Sequence, residues 1–525
     1  MDCSCLRYTD LPNTTRLFAD FAYHFDRVSG FYGHSPHGME SYRRAAAEVS
    51  MSDERRAALV SALRAENPES ESLALLARPG TVAVVTGQQV GLFSGPAYTI
   101  YKALTAVKLA RELTALGTPA VPVFWLATED HDFAEINHCW TLPPDGRPLK
   151  LEAEGPLSSA QPVGGIPLAA PPIERLRRSL SGLPFGEEVA DLVSSSYAPG
   201  ATFGSAFRAL LERLLPDYGL LYVDPMQPAF RRLAAPALGS ALALAGDLAA
   251  SIRRRNAELA AAGYHAQVHI EETTSLVFLI ENGKRVALRR HASDYLANGR
   301  KFSTGELADR AHELSPNALL RPVVQDSMLP TAAYVGGPAE LAYLAQSEPV
   351  YRALLGRMPV VLHRSGFTLL DARSRKLLAR YGLEMRDCFE GGGRLRERIA
   401  ATLVPPAMAS ALREAKASAG SGLDALAASM NGFDASLLAA LHKSRRKMEY
   451  QLAKMERKIG RESLALEARS GEDADWLEAV LYPEKHLQER LYTILPFLAR
   501  HGLDLVGQVY RSIRLDCPDH QLLAV

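Results

Sequence analysis

Two strongly apolar stretches separated by an amphipathic helical pattern are the clearest feature of the chain. The first, Thr81–Thr86, is rich in β-branched residues, and the second is Ala120–Ala127. Short apolar runs of this kind predict buried strands, and the helical periodicity between them predicts a crossover helix. The pattern therefore indicates two parallel strands joined by a helix, which is the repeating unit of an open α/β sheet.

A polar segment follows each of these predicted strands. Thr86–Lys102 follows the first and reads TGQQVGLFSGPAYTIYK, and Glu129–Asp132 follows the second. The carboxyl ends of parallel strands lie at one edge of a sheet, where ligands bind in open α/β proteins. We therefore expect the two segments to share a cavity, and we favour a chemical site over a purely structural turn.

The glycine-rich segment has the residues expected of an anion site. Pro96 at the first position of the predicted helix leaves unpaired amides at the helix N-terminus, and the glutamines add side-chain donors and acceptors. The residues expected to contact a ligand are Thr86, Gly87, Gln88, Gln89, Ser94, Gly95, Tyr98 and Lys102. The segment matches neither the Walker A nor the G-x-G-x-x-G pattern, so a tight strand-to-helix turn is the alternative interpretation.

The second segment places Glu129, Asp130, His131 and Asp132 side by side, and Asn137 follows at helical distance. Such a group can orient an amine, act as a general base or hold Mg²⁺. His131 is the preferred residue for proton transfer because the ordinary pKa of imidazole lies near neutrality. The alternative is a helix N-cap with an acidic first turn, which the helix dipole favours.

Clusters of proline and glycine, together with changes in hydrophobic periodicity, divide the rest of the chain into segments. Clustered prolines and glycines between Pro162 and Pro172 predict a small insertion, and Asn282-Gly283 predicts a hairpin within a second insertion. Gly336-Gly337-Pro338 resembles another strand-to-helix junction. The expected segments are 1–149 (helices and first half of the core), 150–200 (first insertion), 201–232 (core strand and helix), 233–314 (second insertion), 315–390 (second half of the core), 391–475 (coiled coil) and 476–525 (return to the core).

A heptad pattern marks the C-terminal third. Leu438, Arg445, Leu452 and Ile459 are seven residues apart, and Leu441, Met448 and Met455 form a second series offset by three. This pattern predicts a coiled coil, with a helix break before it at Gly420–Gly422. Its outer face is basic, and we interpret that face as solvated rather than nucleic-acid-binding because no stacking aromatics alternate with the charges.

Composition narrows the class of protein. The 525 residues carry a formal net charge of zero, with 47 % hydrophobic and 22 % charged residues, which is ordinary globular usage. A neutral chain has no overall field that favours nucleic acid or an anionic membrane. Five cysteines without a C-x-x-C motif indicate a reduced, cytoplasmic protein, and we expect neither a signal peptide nor a membrane span.

Four stretches together resemble one family, the cysteine-adding enzymes of bacillithiol biosynthesis: LFADF, TGQQVGLFSGPAYTIYKA, PVFWLATEDHDFAEINH and RPVVQDSMLPTAAYVGGPAELAYLAQ. The resemblance implies an α/β fold with a Rossmann-like parallel-sheet core similar to class I nucleotidyl transferases, two connective insertions and a C-terminal coiled coil that forms a homodimer. It implies a ligase that joins L-cysteine to glucosaminyl-malate through a C–N bond, in the last step of bacillithiol biosynthesis. Amide synthesis from a free carboxylate in water needs activation, and we expect ATP to supply it through a cysteinyl-adenylate.

The resemblance also implies site residues. Asp130 and His131 would orient or deprotonate the attacking amine, and Lys102 would neutralise phosphate or malate charge. Substrate contacts would come from Glu129, Asp132, Asn137, Gly336, Gly337, Glu340 and Tyr343, together with the glycine-rich segment. ATP or ADP is the expected cofactor, with Mg²⁺ as a second candidate and no protein metal site; the nucleotide contacts would be Gly391, Gly392, Gln488 and Arg490.

Two alternatives come from other classes of protein. One is a nucleotide-binding coiled-coil scaffold without ligase chemistry, and the other is a nucleotidyl transferase with another acceptor. The chain has neither a HIGH-type nor a KMSKS-type signature, and it offers no Cys/His set for a thiolate-binding zinc site. The chain therefore departs from the wider superfamily at the motifs that would normally identify it.

Overall fold

The computed structural model describes residues 3–67, 70–155, 160–430 and 435–525. The chain divides into two compact units: the first comprises Met1–Leu369 and Glu489–Val525, and the second comprises Leu370–Gln488. The second unit thus interrupts the first in sequence.

The strands are β1 (Cys3–Leu6), β2 (Val82–Gln88), β3 (Ala120–Leu126), β4 (His138–Thr141), β5 (Leu149–Glu152), β6 (Leu221–Val223), β7 (Thr274–Glu281), β8 (Lys284–His291), β9 (Asp294–Ala297), β10 (Arg300–Ser303), β11 (Leu314–Pro316), β12 (Thr331–Gly336), β13 (Val360–His363), β14 (Phe367–Leu370) and β15 (His520–Ala524).

The α-helices up to the end of the core are α1 (Arg16–Tyr23), α2 (Met39–Ala47), α3 (Asp53–Glu66), α4 (Glu71–Leu76), α5 (Tyr98–Ala115), α6 (Phe133–Ile136), α7 (Ile173–Leu180), α8 (Gly186–Ser196), α9 (Phe203–Leu214), α10 (Pro228–Ala243), α11 (Ala245–Ala261), α12 (Thr304–Asp309), α13 (Arg321–Met328) and α14 (Pro338–Leu355). Those that follow are α15 (Ala372–Arg380), α16 (Met385–Cys388), α17 (Gly392–Thr402), α18 (Pro406–Ser429), α19 (Ala435–Leu466), α20 (Ala468–Leu481), α21 (Gln488–Leu491), α22 (Leu495–His501) and α23 (Leu505–Ser512).

A five-stranded parallel sheet forms the core of the first unit, in the order β13-β12-β2-β3-β6. From β2 the chain continues to β3 and β6 on one side, and from β12 it continues to β13 on the other side. The connections that leave β2 and β12 therefore run in opposite directions. That reversal is the switch point at which open α/β sheets bind ligands. The predicted Rossmann-like core is therefore confirmed.

Apolar side chains hold helices against this sheet. Val82 and Val84 of β2 pack in one buried cluster with Ala106, Leu109 and Leu113 of α5. The apolar positions of α5 recur every three to four residues, which directs one stripe of the helix onto the strands. This helix is the crossover connection that the sequence pattern predicts between β2 and β3.

The structure moves one predicted boundary. The first strand was expected to end at Thr86, but β2 continues to Gln88, and Gly87 pairs with Trp125 of β3. A Cβ at Gly87 would lie 2.8 Å from the Trp125 carbonyl oxygen. Glycine is therefore needed there because the two backbones approach closely, and the side chain of Gln88 projects from a strand end rather than from a turn.

Two smaller antiparallel sheets belong to the first unit. β4 and β5 form an antiparallel pair, and β10-β9-β8-β7-β11 form a five-stranded sheet. The predicted hairpin is confirmed, because Asn282 (φ 52°) and Gly283 (φ 72°) join β7 to β8 with positive φ angles at both positions.

A three-stranded sheet in the order β1-β15-β14 brings distant parts of the chain together. Cys5 of β1 lies opposite Gln521 of β15, and the backbone amide of Gln521 donates to the carbonyl of Gly366, just before β14. This sheet fixes residues 520–524 beside the end of the core sheet.

The second unit is helical. Lys416 of α18 pairs with Glu456 of α19 at 2.6 Å, and Asp424 pairs with Arg445 at 2.5 Å, so the two helices run antiparallel. The coiled-coil prediction is confirmed in its helices. The predicted break at Gly420–Gly422 is wrong, because α18 is continuous through both glycines.

No single helix in the described ranges is both long enough and apolar enough to span a membrane. The pair α10 and α11, bent by 76°, passes that test only when the two helices are taken together.

Candidate active site

A cavity of about 610 Å³ opens at the carboxyl ends of β2, β3 and β12, at the switch point of the core sheet. Its lining belongs entirely to the first unit: Gly87, Gln88, Gln89, Tyr98, Lys102, Trp125, Ala127, Glu129, Asp130, Glu135, Val268, Phe278, Arg285, Pro316, Asn317, Ala318, Arg321, Tyr334, Gly337, Pro338, Ala339, Glu340, Tyr343, Arg364 and Arg490. The two polar segments expected to share a cavity therefore do so.

Gln89 connects those two segments. Its side-chain amide nitrogen donates to Asp130 Oδ2 at 2.8 Å and also to a carboxylate oxygen of Glu135. One amide thus holds two carboxylates side by side on the cavity wall. Because an amide nitrogen has two donor hydrogens, both contacts can be made at once, and the remaining carboxylate oxygens are left for a ligand.

Asp130 is ionised at neutral pH. Burial alone would raise its pKa, but the hydrogen bonds from Gln89 and from the His131 amide, together with the charge of Arg285, hold the pKa below its usual range. Glu129 behaves differently, because burial raises its pKa against the opposing charges of Arg285 and Arg231. The pKa values of these two neighbouring carboxyl groups are therefore shifted in opposite directions. Shifted pKa values of this kind are common in functional sites.

The imidazole of His131 lies beside the cavity and is not part of its lining. Its Nδ1 accepts a hydrogen bond from Arg285 Nη1 at 3.0 Å. Burial and the charge of Arg285 lower the pKa of His131, so the ring is neutral at physiological pH. One ring nitrogen of His131 is therefore already hydrogen-bonded, and the ring does not line the cavity. Asp130, which does line it, replaces His131 as the preferred residue for proton transfer.

Lys102 is almost fully enclosed, with 1 % of its side chain exposed. Its ammonium donates to Glu340 Oε2 at 2.7 Å, to Gln88 Oε1 at 3.1 Å and to the carbonyl of Gly87. All three of its hydrogens are thereby used. Lys102 therefore holds the ends of β2 and α14 together and has no donor left for a ligand in this arrangement.

Glu340 is fixed from several sides. Burial would raise its pKa, but the charge of Lys102 and the hydrogen bonds from Lys102, the Tyr334 hydroxyl and the Gly337 amide lower it, and the net shift is downward. The carboxylate is therefore ionised and accepts from three protein donors. It supports the shape of the cavity floor next to Gly337.

Arg364 contributes a cation at the edge of the cavity. Its guanidinium forms two hydrogen bonds with Glu489, at 3.0 and 2.6 Å, and it lies over the ring of Tyr98 at 5.1 Å. Arg490, the next residue along the chain, is exposed and also lines the cavity. The C-terminal segment thus supplies Glu489, which orients Arg364, and Arg490, which lines the cavity.

Several predicted contacts lie outside the cavity lining. Thr86 is buried, and its hydroxyl donates to the carbonyl of Val335. Asp132 caps α6 by accepting from the Glu135 amide at 3.3 Å, which matches the helix-cap interpretation. Asn137 points to Glu152 at 3.5 Å, and Gly336 accepts the Arg364 amide through its carbonyl.

The structure contradicts the predicted anion site at the start of α5. The helix begins at Tyr98 and not at Pro96, and the turn before it passes through positive φ angles at Phe93, Ser94 and Gly95. The amide of Ala97 donates to the carbonyl of Tyr492 at 2.7 Å. Protein groups therefore satisfy the amides that were expected to meet a ligand, and both Ser94 and Gly95 are buried away from the cavity.

The residues predicted to bind nucleotide have other roles within their units. In the second unit, Gly391 has a φ of 89°, and the amide of Gly392 donates to Glu478 Oε1 at 3.0 Å. Gln488 is buried and donates to the carbonyl of Val480 at 2.9 Å. Arg490 belongs to the first unit. The nucleotide site stays a prediction.

Sequence reasoning missed six polar side chains of the cavity: Glu135, Arg285, Asn317, Arg321, Tyr334 and Arg364. Arg321 and Tyr334 lie within one of the four stretches that carry the family resemblance, so that stretch could have indicated them. Arg364 is bracketed by two apolar strands, which is also a usable signal. Arg285 sits in a hairpin of the second insertion and has no local signal.

The comparisons with known proteins agree along the whole chain. Residues 1–365 match the family model described as "Bacillithiol biosynthesis BshC, N-terminal Rossmann-like domain", and residues 367–525 match "Bacillithiol biosynthesis BshC, C-terminal coiled-coil domain". A protein from Solibacter usitatus named "Putative cysteine ligase BshC" is 58 % identical over 525 residues, covering 100 % of both chains.

Two more distant relatives carry the same name. The Koribacter versatilis protein is 36 % identical and covers 99 % of each chain, and the Salinibacter ruber protein is 30 % identical, covering 97 % of this chain and 96 % of its own. Both domain models and these full-length matches lead to one conclusion. The chain belongs to the BshC family of bacillithiol biosynthesis.

Proposed function

We propose that this protein is a ligase that forms an amide between the carboxylate of L-cysteine and the amine of glucosaminyl-malate. The names of its full-length relatives support a cysteine ligase, and the cavity at the switch point offers a site of suitable size. Both substrates are small and carry charges of both signs. The cavity is lined by carboxylates and by guanidinium groups, which suits such substrates.

The observation that carries this proposal is the bridge from Gln89 to Asp130 and Glu135. An amine that attacks a carboxyl carbon must lose a proton, and it is first held as an ammonium ion. Two adjacent carboxylates can hold that ammonium and accept a proton from it. Asp130 is the candidate base because it lies on the cavity wall beside Glu135 and is ionised, since Gln89 and Arg285 hold its pKa low.

Amide formation from a free carboxylate in water requires activation. In the proposal a bound ATP supplies that activation to the cysteine carboxylate. No cluster of three or more metal-binding side chains exists among the described residues. Mg²⁺ usually binds through one or two carboxylates together with phosphates, so an ion that arrives with the nucleotide needs no such cluster.

The geometry refines two of the predicted roles. Lys102 acts as a positioning residue, since its three donors hold Gly87, Gln88 and Glu340. His131 acts on Asp130 indirectly, because it shares Arg285 with that carboxylate. The direct contacts with substrate then come from Asp130, Glu135 and the arginines of the lining.

A homodimer through the coiled coil is part of the same proposal. Met448 and Met455 of α19 are 44 % and 52 % exposed, and Leu426 and Leu437 are similarly exposed. Apolar residues repeated along a helix face and left in water favour a partner surface. A second copy of the same helices would cover them.

The proposal is tested with purified protein, L-cysteine, glucosaminyl-malate and ATP, with the thiol product measured by mass spectrometry. We expect a product whose mass equals the sum of the two substrates less one water, formed only when all three are present. Nucleotide binding without sugar binding in calorimetry would instead support a scaffold. Pyrophosphate release without a requirement for cysteine would support a nucleotidyl transferase with another acceptor.

A further inference from the structure

The cations of the cavity differ in whether a carboxylate already neutralises them. Three have a carboxylate within 4.0 Å: Lys102 with Glu340 at 2.7 Å, Arg285 with Asp130 at 3.6 Å, and Arg364 with Glu489 at 2.6 Å. Within the described parts of the chain, Arg321 and Arg490 have none. Arg490 is exposed to water, whereas Arg321 is half-buried.

The partners of Arg321 are all uncharged. Its Nη1 donates to Gln325 Oε1 at 3.1 Å, and its Nη2 donates to the hydroxyl oxygens of Tyr343 at 2.8 Å and Tyr334 at 3.4 Å. Burial raises the pKa of both phenols, so they stay neutral. A guanidinium has five N–H donors, and the Nε donor of Arg321 has no protein acceptor among the described residues.

The backbone around Arg321 is fixed before any ligand arrives. Arg321 is the first residue of α13, and its amide donates to the carbonyl of Asn317 at 2.8 Å. The Asn317 side chain accepts from the amides of Leu319 and Leu320. The start of the helix is thus fixed, and the hydrogen bonds to Gln325 and Tyr343 hold the guanidinium, which lowers the ordering cost of binding a ligand.

With no carboxylate within 4.0 Å among the described residues, the guanidinium of Arg321 has room for the charged hydrogen bond that an anionic ligand would accept. Glu340 acts on Arg321 at longer range, and its carboxylate already accepts from Lys102, Tyr334 and Gly337. We propose that Arg321 is the receptor for a carboxylate of the malyl group of the acceptor. This inference rests on the proposed function and adds the residue by which the cavity selects an acidic acceptor.

The malyl carboxylates suit this position better than the cysteine carboxylate does. The cysteine carboxylate loses its charge when it is activated and converted to an amide, so an ion pair made with it would be lost during the reaction. The malyl carboxylates do not react and keep their charge throughout. The Nε–H of Arg321 can donate a charged hydrogen bond to such a group, and Arg490 supplies a second cation for a ligand with two carboxylates.

The experiment measures equilibrium binding of L-malate alone to the full-length protein by calorimetry, and separately the KM and kcat for glucosaminyl-malate. The variants are Arg321→Gln, Arg321→Lys and Tyr343→Phe. Arg289→Gln is the matched control because Arg289 pairs with Glu271 on the surface of the second insertion, outside the cavity. Thermal unfolding of each variant confirms that it is folded.

We expect Arg321→Gln to weaken malate binding by about tenfold or more, the loss typical of a charged hydrogen bond. Arg321→Lys should keep part of the affinity because it keeps the charge but loses the planar fork. Tyr343→Phe should lose less, because the guanidinium remains and only its support is removed. In turnover the KM for glucosaminyl-malate should rise, with the KM for cysteine unchanged.

Three results would overturn the inference: equal malate affinity in wild type and folded Arg321→Gln, no malate binding to the wild-type protein at millimolar concentration, or a change confined to cysteine. The proposed function fails separately. If malate binds through Arg321 and yet no thiol product forms, the carboxylate receptor stands and the ligase does not.

Discussion

Arg364 and Glu489 are 125 positions apart in the sequence, and they form an ion pair with two hydrogen bonds at the edge of the cavity. Their side chains are only 3 % and 1 % exposed. Glu489 also accepts the backbone amide of Phe367 at 2.7 Å. The pair therefore links the segment after β13, which borders the cavity, to the C-terminal part of the first unit.

Removing one member of this pair should be strongly destabilising. Glu489→Ala would leave the guanidinium of Arg364 buried without its partner, and the free energy of unfolding should fall by about 3–5 kcal/mol. Urea unfolding would measure the loss. The double variant Arg364→Met with Glu489→Leu should recover a large part of it, because no uncompensated charge remains. Equal stability of the single and double variants would contradict this account.

The stability of the first unit should decrease in mild acid. Burial lowers the pKa of His520 from 6.5, and the charge of Arg364 lowers it further, although Glu489 opposes both effects. The unfolded chain therefore binds the proton more readily than the folded protein does. Stability is fully present above pH 6.5 and is lost as the pH falls through that value toward the folded-state pKa.

His520→Gln should flatten this dependence in unfolding experiments between pH 8 and pH 5.5, the range that brackets the ordinary histidine pKa. His363, whose pKa burial also lowers, should leave a residual slope. His265→Gln, at an exposed position of the second insertion, serves as the control and should keep the wild-type profile. An unchanged slope in His520→Gln would show that another group is responsible.

Asp130 should matter far more to turnover than its neighbour Asp132. Asp130→Asn preserves shape but removes the carboxylate that Gln89 orients, and kcat should fall by about 10²–10⁴-fold. Asp132→Asn is a close control, because asparagine is as good a helix N-cap as aspartate and position 132 is outside the lining. Steady-state kinetics with both variants would decide the matter, and similar rates would remove Asp130 from the chemistry.

Gly87 should not tolerate a side chain. An added Cβ would lie 2.8 Å from the Trp125 carbonyl oxygen and 3.0 Å from the Trp125 Cβ, between two paired strands. Gly87→Ala should therefore destabilise the protein by about 1–3 kcal/mol and disturb the cavity floor. Gly30→Ala, where no atom lies within 4 Å of the added Cβ, should be close to neutral. Thermal unfolding of the two variants provides the comparison.

The proposed dimer should depend on the exposed methionines of α19. Met448→Glu combined with Met455→Glu would place charges in the apolar contact, and sedimentation at micromolar concentration should then show monomer where the wild type shows dimer. Lys443→Glu, on the basic face of the same helix, should leave the dimer intact. A wild-type protein that sediments only as a monomer would rule out the dimer itself.

Local patterns predicted much of the fold and part of the site. The apolar run at β2, the helical stripe of α5 and the run at β3 are contiguous in sequence, so their periodicity alone indicates a βαβ unit. Because strand ends meet at one edge of a sheet, the meeting of Gln89 with Asp130 could also be predicted.

Other features depend on contacts that no local pattern contains. Arg321 is held in the cavity wall by the hydroxyl of Tyr343, and Arg364 is oriented by a glutamate from the far end of the chain. The amide of Ala97 was expected to meet a ligand, yet it meets the carbonyl of Tyr492. In each case a distant segment supplies the partner, and sequence spacing does not reveal it.

The pairing of β15 with β1 and β14 has a consequence for truncated chains. A chain cut before Glu489 keeps every strand of the parallel sheet, but Arg364 loses its carboxylate partner and β1 loses the strand that it pairs with. We therefore expect such a chain to bind substrates poorly even though β2 to β13 are all present.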